Sequence, residues 1–343
     1  MKKSLFLFAT AALVLASCSN DVTISENTVP AGSNAQKEIA FTPLSNTPKR
    51  AIRRAAVDGT TFPTDIAMKV AAYDVTNTRD FFGATTFSYD AGTIWKGGKY
   101  WPLSAAYINF LAIANANADN ATGVTWGTDD ANYASKAVVV MSDNKTAQRD
   151  MMYAIGNGEV TQTSNALSFP TNVPMVFKHA QAWISFYADA YDATSGGKVT
   201  LNSITLNGAK YNGTYTITHT NYNASSSQSV AGAWSALGST ADVAVPNWSA
   251  TAIAYDSEGD GVVVGDGLMI VPDDDAETAD FTSFTVNYSI DGKAYNYTYT
   301  PAAKNVDQAK HYIYNINFHL HEILISATVT DWVDQTAVDV PIF

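Results

Sequence analysis

Five histidines, His179, His219, His311, His319 and His321, are the first residues whose chemistry and spacing invite a reading. His319 and His321 alternate, so on a strand they share one face, and two imidazoles on one face are the beginning of a metal site. No third ligand follows at a metal-site spacing, and a solvent-facing strand edge is the plainer reading. The run Asp256-Ser257-Glu258-Gly259-Asp260-Gly261 follows the first half of an EF-hand calcium loop. The loop's last ligand position falls on Gly267, where a bidentate Glu is required. This run and Asp273-Asp274-Asp275 therefore read as solvated acidic turns, with at most a looser calcium site. Gly259, Gly261, Gly265 and Gly267 do not lie between a strand and a helix, so a phosphate-cradling loop is unsupported. There is no GxSxG elbow, and no particular carboxylate pair stands out for glycoside hydrolysis. Tryptophans and tyrosines can stack on glycans, but in a β-rich chain most are core and cross-strand residues. No enzyme, catalytic residue, metal or cofactor is expected.

Cys18, the single cysteine, rules out a disulfide framework and any CxxC site. Lys2 and Lys3 precede an apolar run from Leu5 to Ala16 that is too short for a mature membrane span. Leu15-Ala16-Ser17-Cys18 then looks like a bacterial lipobox: residues 1–17 form a signal peptide, cleavage falls before Cys18, and its thiol takes a palmitate-type lipid. The chain is expected to begin as an outer-membrane lipoprotein precursor. Ser19-Asn20-Asp21 resembles the short acidic-polar signals that send such lipoproteins to the surface. The net charge of −12 makes nucleic acid a poor partner, because a phosphate backbone wants a basic face.

The elements that would position any site are short strands. The chain has 46% hydrophobic and 15% charged residues, with 18 Tyr and 7 Trp, which fits a folded β-rich exported protein. Residues 18–37 read as a flexible tether. Glu38 to Leu44 is one strand, ended by Pro43, with Ile39 and Phe41 on one face. Thr47 to Ala56 follows and holds Lys49, Arg50, Arg53 and Arg54, a basic loop of the kind proteases cut. Strands are expected at 67–73, 107–113, 137–141, 183–187, 199–206, 211–218, 284–290, 295–300, 318–329 and 338–343. Asp291-Gly292 makes a hairpin turn. Short helical turns are allowed near 147–155 and 303–310. Many short strands between turn signals mean sandwiches or barrels. The Pro170-Thr171-Asn172-Val173-Pro174 stretch marks the boundary between two units, 38–172 and 173–343, to within about ten residues.

Three stretches carry a resemblance. The first is Trp95-Lys96-Gly97-Gly98-Lys99-Tyr100-Trp101-Pro102-Leu103, followed by Ile108-Asn109-Phe110-Leu111-Ala112. The second is Arg149-Asp150-Met151-Met152-Tyr153-Ala154, followed by Val173-Pro174-Met175-Val176-Phe177-Lys178-His179-Ala180. The third is Ile325-Ser326-Ala327-Thr328-Val329-Thr330-Asp331-Trp332. In this order behind a lipobox they resemble the fimbrillin family, the pilin subunits of type V fimbriae of Bacteroidales. The resemblance implies an all-β fold of two tandem transthyretin-like β-sandwich domains. It also implies that an arginine-specific surface protease removes the lipidated leader, with its first strand, and that other pilin subunits are the partners. The matching bond here is Arg54-Ala55, with Arg50-Ala51 the second choice.

Loss of the strand bearing Ile39 and Phe41 would open a groove, and an open sheet edge is a template for another strand. The C-terminal segment, about 332–343, has the pattern of a donor: Trp332, Val338, Val340 and Ile342 share one parity. Burying four such side chains is worth about 6–12 kcal/mol gross, an upper bound. An ordinary last strand of the second sandwich would show the same parity. The chain ends directly after Phe343, so this strand is expected to be free to leave. Head-to-tail insertion does not close, so it builds a filament. With both tail and cleavable loop, the expected role is a shaft subunit of a surface fimbrium supporting adhesion. The alternatives are a tip adhesin of the same pilus and a non-polymerising surface lipoprotein that binds glycans.

Overall fold

The structure, a computed structural model, describes residues 28–30, 36–45, 62–114, 123–141, 144–146, 148–164, 166–193, 197–220, 229–256, 261–273, 278–319 and 323–331. The first half holds β1 (Thr28–Pro30), β2 (Glu38–Ser45), β3 (Met68–Asp74), β4 (Arg79–Ala91), β5 (Ile94–Tyr100), β6 (Ala106–Ala114), β7 (Val124–Asp129), β8 (Ala134–Met141), β9 (Met152–Thr163), β10 (Ala166–Ser168) and β11 (Val173–His179). The second half holds β12 (Ala182–Ala190), β13 (Val199–Ala209), β14 (Gly213–Thr220), β15 (Ser229–Ser235), β16 (Ala241–Ala244), β17 (Thr251–Ala252), β18 (Val262–Val263), β19 (Leu268–Ile270), β20 (Ser283–Ile290), β21 (Lys293–Tyr299), β22 (Lys310–Phe318) and β23 (Ile323–Asp331). The fold is all-β.

The N-terminal unit is a sheet wrapped onto itself. Strands β9, β11, β2, β5, β4, β3 and β6 are hydrogen-bonded in that order, and β6 pairs back to β9, which closes the ring. Its interior is aromatic: Phe41, Phe62, Phe87, Trp95, Trp101, Phe110 and Phe177 belong to one core. The seam is tight where β9 passes under β11 and Trp101. A Cβ on Gly156 would run into the Met175 sulfur, and one on Gly158 into the Trp101 ring and, at 3.1 Å, Pro170 Cγ. Glycine at these two positions lets the wall close.

From Phe110 to Ala114 strand β6 reads as an unbroken apolar run because both of its faces are covered. Ile108, Phe110, Ala112 and Ala114 point into the ring. Leu111 and Ile113 point outward, beneath a second sheet of order β15-β14-β8-β7. That sheet draws β7 and β8 from the first half of the chain and β14 and β15 from the second, joined through Gly213↔Met141 to Ile217↔Ala137. The two halves are thus stitched by a shared sheet, which a reading of two tandem sandwiches does not anticipate. Buried amides strengthen the junction: Met151 N–H donates to Gln181 Oε1 at 2.9 Å, and Met269 N–H to Gln148 Oε1 at 2.6 Å.

In the C-terminal unit, the sheet β16-β13-β20-β21 packs on β18-β12-β22-β23, with β19 also on β12. Ile184, Phe186, Leu201, Ile204, Phe284 and Ile316 lie in the core between them. Asp291 and Gly292 turn β20 into β21 with φ of 48° and 80°, the double positive φ of a type I′ hairpin.

Several expectations change. Val173 to His179 was assigned to the second unit, yet it is a strand of the first, with Val173, Met175 and Phe177 in the ring core. Core membership changes between Phe177 and Ala182, within the ten residues allowed around 172. Residues 152–155 are strand rather than helical turn, and Phe318 to Val329 is not one strand: β22 ends at Phe318 and β23 begins at Ile323. Among the described residues 303–310 there is likewise no helix. Gly158→Ala is expected to destabilise the protein by about 1–3 kcal/mol through overpacking against Trp101, read as a lower urea midpoint. Gly92→Ala lacks such a contact, with nothing within 4 Å of its Cβ, and tests the positive-φ cost alone.

Candidate functional site

Strand β2 is the piece of the ring that the sequence marked as removable. Its side chains alternate as a two-sided wall element requires. Ile39 and Phe41 are fully buried, Pro43 is buried, and Leu44 is exposed. The Phe41 ring stands edge-on to Phe87 and Phe110, with centroids 4.8 and 5.0 Å away. Each such pair adds about 0.5–1.5 kcal/mol to the area it buries. On one side β2 runs parallel to β11, from Val173↔Phe41 to Phe177↔Ser45. On the other it runs antiparallel to β5, through Glu38↔Tyr100, Ala40↔Lys96 and Phe41↔Trp95. Two polar contacts fix its start: Gly98 N–H donates to Glu38 Oε1 at 3.0 Å, and Trp101 N–H to Lys37 O at 2.9 Å. Gly98 has φ of 66°, a backbone state glycine adopts freely.

Pro43 does not end the strand, which continues to Ser45. Pairing with β5 stops at Phe41, so Pro43 has only β11 beside it and its missing N–H interrupts no second ladder. The sequence also missed β11 as the parallel wall. In the structure Val173 to His179 alternates strictly between buried and exposed residues, but Pro174 and Val176 on the exposed parity blur that alternation in the sequence. The segments singled out above prove to be neighbours. Trp95 to Tyr100 supplies the β5 wall and Val173 to Phe177 the β11 wall. At the seam, His179 Nδ1 lies 2.9 Å from Asp150 Oδ1 with both side chains buried.

Of the residues assigned from sequence, Ile39 and Phe41 are placed, side by side in the ring core. Cys18, Arg50, Ala51, Arg54, Ala55, Trp332, Val338, Val340 and Ile342 lie outside the described residues. The stretch taken as a free tether contains β1, which pairs with β10 through Thr28↔Ser168, Val29↔Leu167 and Pro30↔Ala166. Leader contacts therefore begin before β2.

The histidines are dispersed. His179 pairs with Asp150, His319 stacks on Tyr191 with centroids 3.5 Å apart, and His311 stacks on Trp183 at 3.9 Å with Nε2 2.7 Å from Ser185 Oγ. His219 falls in β14, and His321 lies outside the described residues. Among the described residues, no three His, Cys, Asp or Glu side chains are grouped to hold a metal. At the described ends of the acidic runs, Asp256 N–H donates to Asp189 Oδ1, and the Asp273 carboxylate binds Lys210 Nζ at 2.6 Å.

A fimbrillin-like family profile matches residues 54–332, most of the chain, and the protein belongs to that family. No curated protein sequence matches it. Among solved structures it is similar to a candidate cell adhesion protein from Bacteroides ovatus, at 14% identity over 88% of this chain and 100% of the other, with a TM-score of 0.50. A candidate cell adhesion protein from Bacteroides uniformis matches at 15% identity over 86% and 99%, with a TM-score of 0.49. The tip fimbrial protein Mfa3 from Porphyromonas gingivalis matches at 13% identity over 78% and 94%, with a TM-score of 0.43. At 14% identity the likeness to the Bacteroides ovatus protein is one of fold.

Two outcomes are expected. Phe41→Ala should cost the uncut chain about 3–5 kcal/mol by chemical unfolding, whereas Leu44→Ala, at the exposed side of the same strand, should stay within about 0.5 kcal/mol. Burial pushes the His311 imidazole down from 6.5 to about 3. The unfolded chain then takes up a proton that the folded chain refuses. Stability is lost as pH falls from about 6.5 toward about 3, at up to about 1.4 kcal/mol per pH unit. His311→Asn should flatten that slope in urea midpoints measured at about pH 7 and about pH 4.

Proposed function

We propose that this chain is the precursor of a pilin subunit that polymerises into surface fimbriae by protease-triggered donor-strand exchange, supporting adhesion as a shaft subunit. It is exported as a lipoprotein through Cys18 and held at the outer membrane. An arginine-specific protease then cuts at Arg54-Ala55, or at Arg50-Ala51, and the segment with β2 is displaced. The final segment of another copy, with Trp332, Val338, Val340 and Ile342 facing in, fills the gap between β5 and β11. The observation that carries this reading is the position of β2: an N-terminal strand that closes the ring between two walls hydrogen-bonded to it. The fimbrillin-like family match over residues 54–332 supports the pilin-type adhesion part of this reading.

The energetics explain why the cut is the trigger. Uncut, the leader competes for its own slot at an effective concentration of order mM. A donor from another copy at about 1 μM is disfavoured by about 4 kcal/mol on concentration alone. Cleavage removes that advantage. The leader then holds through its buried residues: Ile39 and Phe41 contribute about 3–6 kcal/mol gross, against about 6–12 kcal/mol for the four donor side chains. Since β11 is parallel and β5 antiparallel to β2, a strand entering in either direction meets one parallel and one antiparallel neighbour.

Purified precursor treated with an arginine-specific protease should shift in mass and then form an SDS-resistant ladder on unheated gels. Arg54→Ala with Arg50→Ala should block the shift. Deleting Val338 to Phe343 should abolish the ladder while near-UV circular dichroism is kept. A trimmed chain that stays monomeric at high concentration, or a tail-deleted chain that still polymerises, contradicts donor-strand assembly.

A further inference from the structure

The two ends of β2 are held unequally. At its start Glu38, Ala40 and Phe41 pair with β5, and Ile39 and Phe41 are fully buried. Gly98 N–H donates to Glu38 Oε1 and Trp101 N–H to Lys37 O, and β1 is paired to β10 further upstream. From Thr42 to Ser45 one wall remains, the ladder with Pro174 to Phe177 of β11. Along this half Pro43 is buried, Thr42 is half-buried and Leu44 is 41% exposed. Pro43 also has no N–H to give the ladder.

What steadies this weaker end is the chain that follows it. Ser45 pairs with Phe177. The chain returns at Phe62, whose ring centroid lies 4.7 Å from that of Phe177 and 5.6 Å from that of Trp95. Both ends of the connection through residues 46–61 are therefore pinned beside Phe177. While the connection is whole, a lifted Ser45 belongs to a closed loop and pairs again. Cutting turns it into the end of a free terminus on a single ladder, the part of a strand that opens first. Opening back to Phe41 bares the edge of β11 from Met175 to Phe177. Strand β11 pairs with β9 at Lys178 and His179, so the ladder of this stretch is the one with β2. Met175 and Phe177 belong to the ring core, and Val176 is 43% exposed. An extended apolar strand fits such an edge: main-chain bonds hold it, and Met175 and Phe177 receive its inward side chains.

We propose that the cut leader opens from Ser45 toward Glu38, that the Met175–Phe177 edge of β11 is the first landing site for a strand of another copy, and that β1 on β10 is the last part of the leader to let go. This order of events rests on the donor-strand reading above. The newcomer pairs before the leader has gone, so exchange trades one ladder bond for another and the aromatic interior around Phe87 and Phe110 is not bared all at once.

Hydrogen exchange on the unlipidated full-length chain, Cys18→Ser, tests the opening by itself. It is read soon after cutting with an arginine-specific protease, at a concentration too low for ladders. The amides of Met175–Phe177 that face β2 should exchange about tenfold faster than in the uncut chain, while those of Gly98 and Trp101 stay as protected as before. Equal change at both ends, no change at either, or a gain confined to Gly98 and Trp101 overturns the proposal. Two engineered disulfides in the same chain test the landing site. Leu44→Cys with Val176→Cys joins register partners at the cut end, and Val29→Cys with Leu167→Cys joins partners on β1 and β10. After oxidation and cutting, the first lock should stop the SDS-resistant ladder until the bond is reduced. The second should let the ladder form with the leader still attached to each subunit on non-reducing gels. A first lock that permits the ladder, or a second that stops it, overturns the order of events. A ladder missing from the chain without either lock counts against donor-strand assembly instead, and the exchange result then decides the direction of opening alone.

Discussion

One strand decides whether the N-terminal unit is finished. The ring needs a hydrogen-bonded element between β5 and β11, and β2 supplies it with Ile39 and Phe41 in the core and backbone ladders on both sides. Without it both walls become open edges, and the aromatic interior around Phe87, Phe110 and Trp95 meets water. A fold can tolerate an exposed edge or a wet core residue singly; the two together form a binding site with shape, polarity and register.

The leader occupies that site in an unusual way. It precedes the rest of the unit in sequence yet lies in the middle of its sheet, so its order of folding and its order of removal are set by different things. Folding needs a contact between residue 41 and residue 173, a long loop closure. Under the proposed exchange, removal needs the connection through residues 46–61 to be cut and another strand to displace β2 from β5 and β11. Strand β1 on β10 extends the pairing: the segment before β2 is held to the body as well. Meanwhile the shared sheet β15-β14-β8-β7 ties the two units together.

How much of this was legible follows from which interactions are local. Alternation and turn chemistry gave the strand at Ile39 and Phe41 and the Asp291-Gly292 hairpin, because side-chain parity and positive φ are properties of neighbouring residues. The parallel pairing of β2 with β11 and the reach of β14 to β8 were hidden, because a single sequence carries no mark of which strands meet across more than seventy residues. The Val173-Pro174 stretch misled for a physical reason. Two prolines look like a linker, but Pro174 sits in a strand whose alternation survives around it. The short helical turns allowed near 147–155 lost to tertiary pairing of β9 with β6 along its whole inner run. The family motifs were recognisable before their geometry was, since the residues that form the two walls of the slot also carry the resemblance.

The most direct measurement is to find out whose strand fills the ring after trimming. Isotopically light and heavy subunits would be mixed, trimmed together, allowed to assemble, and treated with a carbodiimide, which joins a lysine to a carboxylate. Links from Lys96, Lys99 or Lys178 beside the slot to Asp334 or Asp339 should include light–heavy pairs, because the filling segment comes from another copy. If those links join only light to light and heavy to heavy, the segment belongs to the same chain, and a ring completed by its neighbour is contradicted.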